Sequence, residues 1–251
     1  MNITILSDCR TESARHEHLR RLATRGLPDD ATVIYRGRNI VAASADGEAC
    51  IKAFRTPGFF KGLIYGFFRK PKAVRAYENA GRLRSLGINT PEPLGAVICR
   101  RAGLLRQSFY ICRNLRGWSE LRGIEKRPDF DRLAAALAAF MLGLHRRGVL
   151  MKDFSQGNIL FRADSKGFDF ALVDINRMEF GVTDRRRLLD NFGAALDTEE
   201  GIRALAEEYV VQAHDDEDVP PVDEIVDIFR QRQAFLWRKR RIKERIRGKK
   251  K

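Results

Sequence analysis

The sequence has 251 residues, of which 44% are hydrophobic and 16 are phenylalanine, so it describes a folded globule and not a disordered chain. The four cysteines are scattered and form no Cys-x-x-Cys pair, which argues against a disulfide framework or a zinc site and favours the cytosol. No basic segment followed by a long apolar run opens the chain, so we expect neither a secretory signal nor a spanning helix.

The net charge of +14 is concentrated in the tail of the chain. Residues 238–251 contain ten Lys or Arg and one acid, Glu244, which is +9 of the +14 and leaves about +5 for the other 237 residues. An anionic membrane surface attracts each basic residue by about 1 kcal/mol before screening by salt. The tail is by default a solvated, frayed helix end, and its functional options are such a surface or, less favoured, RNA phosphates.

The first half of the chain is rich in predicted strands. They lie at residues 32–35, 40–45 and 48–54, and Asp46-Gly47 between the last two is typical of a tight hairpin turn. Lys52 lies on the third strand. Two further strands are predicted at residues 94–99 and 108–112.

A helix is predicted over residues 71–86, with Glu78 bordering its apolar face and Gly87 ending it. The preceding segment, residues 59–70, has the sequence FFKGLIYGFFRK. Its aromatic and basic residues suit either packing beneath a loop or contact with lipid headgroups.

The second half is mainly helical. Leu133, Leu137, Phe140, Met141 and Leu144 form an amphipathic stripe that ends at Gly148. Further helices are predicted at residues 184–195, at residues 199–212, and from residue 222 into the tail. The pattern predicts an α+β chain of two lobes, with residues 1–114 in the first, residues 115–237 in the second and residues 238–251 as a basic tail.

Polar residues with a characteristic spacing lie beside apolar strands in this second half. Asp153 and Asn158 are five residues apart in LMKDFSQGNILF, and Asp174 closes the apolar run FALVD sixteen residues later. This order matches the catalytic and metal-binding loops of protein-kinase-like folds. The alternative for Asp153 and Asn158 is a turn in which both side chains bind the backbone.

The chain resembles the protein-kinase-like superfamily and, within it, the lipopolysaccharide core kinases that phosphorylate Kdo or heptose sugars. The resemblance rests on KDFSQGNILF, on LVDINR and on TPEP after the helix of Glu78, and it covers nearly the whole chain. It implies a bilobal fold with an antiparallel-sheet N-lobe and a mainly helical C-lobe. It also implies an ATP-dependent phosphotransferase that uses Mg²⁺.

The same resemblance implies a role for each matching residue. Asp153 takes the proton of the acceptor hydroxyl, and Asn158 and Asp174 bind magnesium. Lys52, fixed by Glu78, binds the nucleotide phosphates. Gly37 is the one glycine kept of the phosphate-covering loop, and the surrounding turn is interpreted equally well as purely structural.

Ser155 stands where ordinary protein kinases have a lysine, which favours a sugar hydroxyl as acceptor. A lipid-linked core sugar then implies a protein bound peripherally at the cytoplasmic face of the cell membrane. Met151 replaces the usual histidine and fills an apolar gap. An atypical protein or small-molecule kinase, and a catalytically silent protein that binds lipid or a partner, are the alternatives. His145 is interpreted as structural, because a cation is favoured at a helix C-terminus.

Overall fold

The computed structural model describes residues 2–7, 19–22, 24–55, 70–165, 167–214, 216 and 219–248. Except for Lys70, segment 59–70 lies outside these residues, and with it the predicted lipid contact. The chain forms two compact units: Met1–Gly117 with Val173–Arg177, and Trp118–Leu172 with Met178–Lys251. The sequence placed the boundary after residue 114 and did not predict that residues 173–177 belong to the first unit.

Six antiparallel strands form the sheet of the first unit. They are β1 (Asn2–Leu6), β2 (Thr32–Arg36), β3 (Ile40–Ala43), β4 (Ala49–Phe54), β5 (Pro93–Arg101) and β6 (Leu104–Arg113). Their order across the sheet is β1-β5-β6-β4-β3-β2. Strand β1 was not predicted from the sequence; it pairs with β5. The turn between β3 and β4 contains Gly47 at φ 68°, as the Asp-Gly dipeptide predicts.

Side-chain alternation along β4 decides where Lys52 points. Ile51 is fully buried and belongs to an apolar cluster on one face of the sheet, together with Leu19, Phe109 and Ile111. Successive residues of a strand face opposite sides, so Lys52 lies on the other face. Its Cα partner across the sheet is Tyr110 on β6.

Helix α1 (Lys72–Ser85) packs against β5. It agrees with the helix predicted over residues 71–86. Its buried residues are Ala73, Ala76, Ala80 and Leu83. Three alanines on one face let the helix lie close to the sheet, which brings polar residues of α1 near the strand that carries Lys52.

Helix α2 (Phe130–Arg146) is the buried centre of the second unit, and its predicted stripe is confirmed. Leu133, Leu137, Met141 and Leu144 are all at most 1% exposed, while Phe140 is half-buried and stacks on Phe170. The helix is followed by Gly148 at φ 61°. A Cβ there would approach the backbone of Val182 to 2.9 Å, so only glycine fits.

Five short strands of the second unit form two small sheets. They are β7 (Ser119–Glu120), β8 (Val149–Met151), β9 (Ile159–Asp164), β10 (Gly167–Leu172) and β11 (Met178–Phe180). One sheet has the order β10-β9-β7 and the other pairs β11 with β8. The loop of residues 152–158 therefore runs from β8 to β9, and each of these strands is fixed by pairing with other strands.

The remaining elements of the second unit are helical. A short helix α3 (Arg185–Leu188) and a 3-10 turn (Leu189–Ala194) replace the single helix predicted over residues 184–195. Helix α4 (Glu199–Gln212) has the predicted bounds. Helix α5 (Val222–Gly248) runs without a break through most of the basic tail. Among the described residues, no helix has the length and apolarity needed to cross a membrane.

Candidate active site

A short ion pair joins Lys52 to Asp174 in the first unit. The Lys52 Nζ lies 2.6 Å from Asp174 Oδ1, and the two side chains are 16% and 32% exposed. The residues are 122 positions apart (174 − 52), so the pair exists only because segment Val173–Arg177 belongs to this unit. Two residues predicted to act on the same nucleotide phosphates and metal are thus in contact.

Asp174 adopts an unusual backbone conformation. Its φ is 55°, in the left-handed region that few non-glycine residues occupy. The Asn176 amide donates to Asp174 Oδ1 at 2.5 Å, and the Asn79 amide on α1 donates to the Ile175 carbonyl at 2.7 Å. Side-chain amides therefore hold the segment in place, and such imposed strain is concentrated at functional sites.

Glu78 does not pair with Lys52 in this structure. Its carboxylate instead binds the Lys70 Nζ at 2.7 and 2.9 Å, and both side chains are well exposed. In this structure Lys52 pairs with Asp174, and a Glu78–Lys52 pair stays a prediction.

Gly37 lies in the turn between β2 and β3. Its N–H donates to the Asn39 carbonyl at 3.1 Å, and a Cβ at this position would collide with the ring of Tyr35. The glycine therefore lets an aromatic ring cover the turn. Contact of Gly37 with a phosphate stays a prediction.

Two cations of the same unit were not identified from the sequence. Lys72 is the first residue of α1, and Arg38 lies in the turn after Gly37. The positive charge of Arg38 is, after burial, the main cause that lowers the pKa of the Lys72 ammonium. Nothing local in the sequence relates Lys72 to Arg38, since they are brought together only by the fold.

The second unit contains Asp153 and Asn158 in one loop. The Asn158 amide nitrogen donates to the Asp153 backbone carbonyl at 2.9 Å, and the Asn158 N–H donates to the Ser155 carbonyl at 2.8 Å. Asp153 and Asn158 are both half-buried, while Met151 before the loop is 2% exposed. The bond uses the nitrogen of Asn158, so its amide oxygen, the atom that metals bind, takes no part in it.

Charged residues of the second unit support this loop. Lys152 and Arg187 both pair with Glu179, and these two cations lower the pKa of its carboxyl. The Arg122 guanidinium lies over Gly157 and leaves no room for a Cβ there. Arg122 was not identified from the sequence, since nothing local relates it to a loop 35 positions away (157 − 122).

The donor chemistry of Asp174 and Asn158 fits magnesium. This ion takes one or two protein oxygens and completes its shell with phosphate oxygens and water. Within the described residues, no three His, Cys, Asp or Glu side chains form a metal-binding group, so a dedicated all-protein cage is not built there.

A six-stranded antiparallel sheet with helix α1 packed on it, together with a helical unit that carries an Asp-x₄-Asn loop, defines a protein-kinase-like fold. The residue types match it in order: Lys52, Asp153, Asn158 and Asp174. The model of the lipopolysaccharide kinase (Kdo/WaaP) family matches residues 55–196. The chain belongs to this family and is a kinase.

Two solved structures resemble the chain in fold. WaaP in complex with acyl carrier protein is 19% identical, with 95% of this chain and 98% of that chain covered and a TM-score of 0.54. The Rio2 kinase–ADP/Mg²⁺–phosphoaspartate complex from Chaetomium thermophilum is 18% identical, with 89% and 71% covered and a TM-score of 0.45. No curated protein matches the sequence.

Proposed function

We propose that the protein transfers the terminal phosphoryl group of ATP to a sugar hydroxyl of the lipopolysaccharide inner core, with magnesium, at the cytoplasmic face of the membrane. The observation that carries the proposal is the Lys52–Asp174 pair. It joins the strand lysine to the carboxylate after β10, the two residues that kinases use for nucleotide phosphates and metal. The family gives the substrate class.

The proposed reaction needs only positioned charges and one base. Asp153 accepts the proton of the acceptor hydroxyl, whose oxygen forms a bond to the γ-phosphorus while the bond from that phosphorus to the bridging oxygen breaks. ADP leaves with the electron pair of the broken bond. Lys52 binds the α- and β-phosphates, and a metal at Asp174 and Asn158 would neutralise the charge on the transferred group.

Ser155 supports a sugar acceptor over a protein substrate. It is half-buried and its carbonyl accepts from the Asn158 N–H, so it shapes the loop without adding a cation. A lysine at this position would provide the positive charge that protein kinases use. The alternative, a protein or small-molecule kinase, keeps the same chemistry and differs only in the acceptor.

The exposed end of α5 supports the proposed membrane location. Every described side chain from Arg230 to Ile242 is exposed, and Phe235 and Trp237 are 54% and 58% exposed. Arg232 and Lys239 lie over the Phe235 ring, and Arg241 lies over the Trp237 ring at 4.7 Å. Aromatic rings beside cations suit the headgroup region of an anionic bilayer.

A protein partner is the second candidate for this surface. The solved WaaP structure contains acyl carrier protein. The basic end of α5 would bind an acidic protein by the same charge complementarity.

The test is phosphoryl transfer from radiolabelled ATP to lipid-linked core acceptors. Replacing Asp153 or Asp174 by Ala is expected to lower turnover by about 10²–10⁴-fold, because a base or the metal's carboxylate is lost. Asp169→Ala is the matched control, since Asp169 is 43% exposed and pairs with Arg162 on the surface.

Unchanged turnover in both variants would contradict the assignment, provided that circular dichroism shows intact folds. No transfer by the wild type to any core acceptor, together with transfer to a protein substrate, would favour the alternative acceptor. Magnesium-dependent nucleotide binding without any transfer would favour the catalytically silent alternative.

A further inference from the structure

A second lysine of the first unit lies beside the same aromatic ring as Lys52. The Lys72 Nζ is 5.8 Å from the centre of the Phe54 ring, and the Lys52 Nζ is 5.7 Å from it. Lys52 and Phe54 are two residues apart on β4 and therefore share a face of the sheet. The Phe54 ring thus holds two ammonium groups on the face where Asp174 pairs with Lys52.

Positive charge exceeds negative charge around Lys72. Burial lowers the pKa of its ammonium most, and the charge of Arg38 lowers it further, while the carboxylate of Asp174 opposes both. Lys52 and Lys72 thus both interact with the carboxylate of Asp174, which already accepts the short contact from Lys52, while the charges of Arg38 and Arg75 also act on Lys72. A cluster with this excess is electrostatically complementary to an anion of more than one charge.

Helix stability does not account for Lys72. A cation in the first turn of a helix is opposed by the helix dipole. Helix α1 has no acidic residue in its first turn and no side-chain cap that would offset this cost. Half-burial of an ammonium adds a desolvation cost, so Lys72 is unfavourable for folding at this position. A bound anion would offset that cost.

We propose that Lys72 and Arg38 form a second phosphate-binding pair, which holds the terminal phosphate of the nucleotide while Lys52 holds the inner phosphates. The inference rests on the proposed function, since it takes ATP as the ligand. Lys72 interacts with the carboxylate of Asp174, which would hold the metal that neutralises phosphate charge. A glycine-rich loop binds phosphates through its backbone amides, whereas the turn at Gly37 has a single glycine. The charged side chains of Lys72 and Arg38 provide phosphate binding in its place.

The experiment measures the affinity of the full chain for ATP, ADP and adenosine by calorimetry, with magnesium and with EDTA. Lys72→Gln is expected to weaken ATP binding by roughly ten-fold or more, because a charged contact is lost. The affinity for ADP is expected to fall much less, and the affinity for adenosine is expected to stay unchanged. Arg38→Gln is expected to lose affinity in the same order, most for ATP and least for adenosine. Lys72→Arg is expected to retain the affinity for ATP. Lys126→Gln, an exposed lysine of the second unit, is the matched control.

Thermal unfolding separates binding from folding. Because Lys72 opposes the helix dipole, Lys72→Gln is expected to leave Tm unchanged or higher, whereas a structural role would lower it. Wild-type ATP binding that is unaltered in Lys72→Gln and Arg38→Gln would overturn the inference and leave the proposed function standing. Equal wild-type affinity for ATP and adenosine would overturn both.

Discussion

Two carboxylates of the first unit each form an ion pair with a different lysine. Asp174 binds Lys52, and Glu78 binds Lys70. The second pair is well exposed, at 64% and 44%, and exposed pairs contribute at most about 1 kcal/mol. Since the exposed Lys70–Glu78 pair costs little to break, we propose that Glu78 binds Lys52 in the nucleotide-bound protein, where Asp174 would hold the metal.

Glu78→Gln is expected to lower kcat/KM for ATP by about ten-fold, because Lys52 then has no carboxylate to bind when Asp174 binds metal. Lys70→Gln is the matched control. It frees Glu78 and is expected to leave kcat/KM undiminished and the free energy of unfolding within about 0.5 kcal/mol of the wild type. Steady-state kinetics and urea unfolding measure the two quantities. Equal kinetic losses in both variants would show that the Lys70–Glu78 pair itself is what matters.

Local residue patterns were predictable and distant pairings were not. The Asp153–Asn158 loop follows from a spacing of five residues, which one turn can satisfy. The contact of Lys52 with Asp174 depends on a segment that returns to the first unit after more than a hundred residues, and no periodicity encodes such a return. Glu78 was placed on the correct helix, yet its partner depends on side-chain geometry that sequence order does not contain.

At the scale of elements, α5 agrees with the helix predicted from residue 222 into the basic tail. One helix runs from Val222 to Gly248. Ile225, Val226 and Phe229 are buried, and the exposed part begins at Arg230. Burial of the first turns against the second unit nucleates the helix, so the following charged residues need only propagate it.

The exposed part of α5 is expected to bind anionic vesicles. Phosphatidylglycerol vesicles should shift the Trp237 fluorescence to the blue, and raising ionic strength should weaken the binding, since screening shortens the reach of each cation. Trp118→Phe isolates the signal, because the chain has two tryptophans and Trp118 stacks on Arg162.

Phe235→Ala combined with Trp237→Ala is expected to reduce sedimentation with these vesicles several-fold. Val211→Ser removes an apolar residue that is 68% exposed on α4 and is expected to have no effect. Binding that survives both aromatic substitutions and high salt would contradict a role for α5. Salt-sensitive binding to RNA but not to vesicles would favour nucleic acid as the partner.

Predictable elements are those with a strong local pattern. Helices α1, α2 and α4 follow from apolar periodicity and terminal glycines or caps. The interruption of the predicted helix 184–195 does not, because it depends on a buried polar contact: Asn191, fully buried, donates to His145 Nε2 at 3.2 Å. A buried amide must find a partner, and this partner lies 46 positions earlier.

For the molecule as a whole, buried and paired titratable groups set the response to acid. His145 was predicted to be a helix-end cation, but burial lowers its pKa to about 3, so it is neutral near pH 7. With Asn191 donating to Nε2, the ring proton lies on Nδ1 and is donated to the Tyr209 hydroxyl at 2.8 Å. Arginine partners also lower the pKa of Asp216 and Glu199.

Each of these groups has a lower pKa in the folded chain than in the unfolded chain, so each makes the fold less stable in acid. Below pH 6.5 the unfolded chain protonates His145 and the folded chain does not until about pH 3, so the free energy of unfolding falls as pH falls through this window. The slope from one histidine is at most about 1.4 kcal/mol per pH unit. Urea unfolding of the wild type between pH 7.5 and pH 4.5 is expected to show this loss.

His145→Gln is expected to be less stable at pH 7.5, because a packed ring and its contact with Tyr209 are lost, and to have a flatter pH dependence below pH 6.5. His214→Gln removes an exposed histidine and is expected to keep the wild-type slope. Both variants replace a histidine by glutamine. A difference between their pH slopes is therefore due to the burial of His145. Parallel slopes for the wild type and His145→Gln would mean that the carboxylates alone govern acid unfolding.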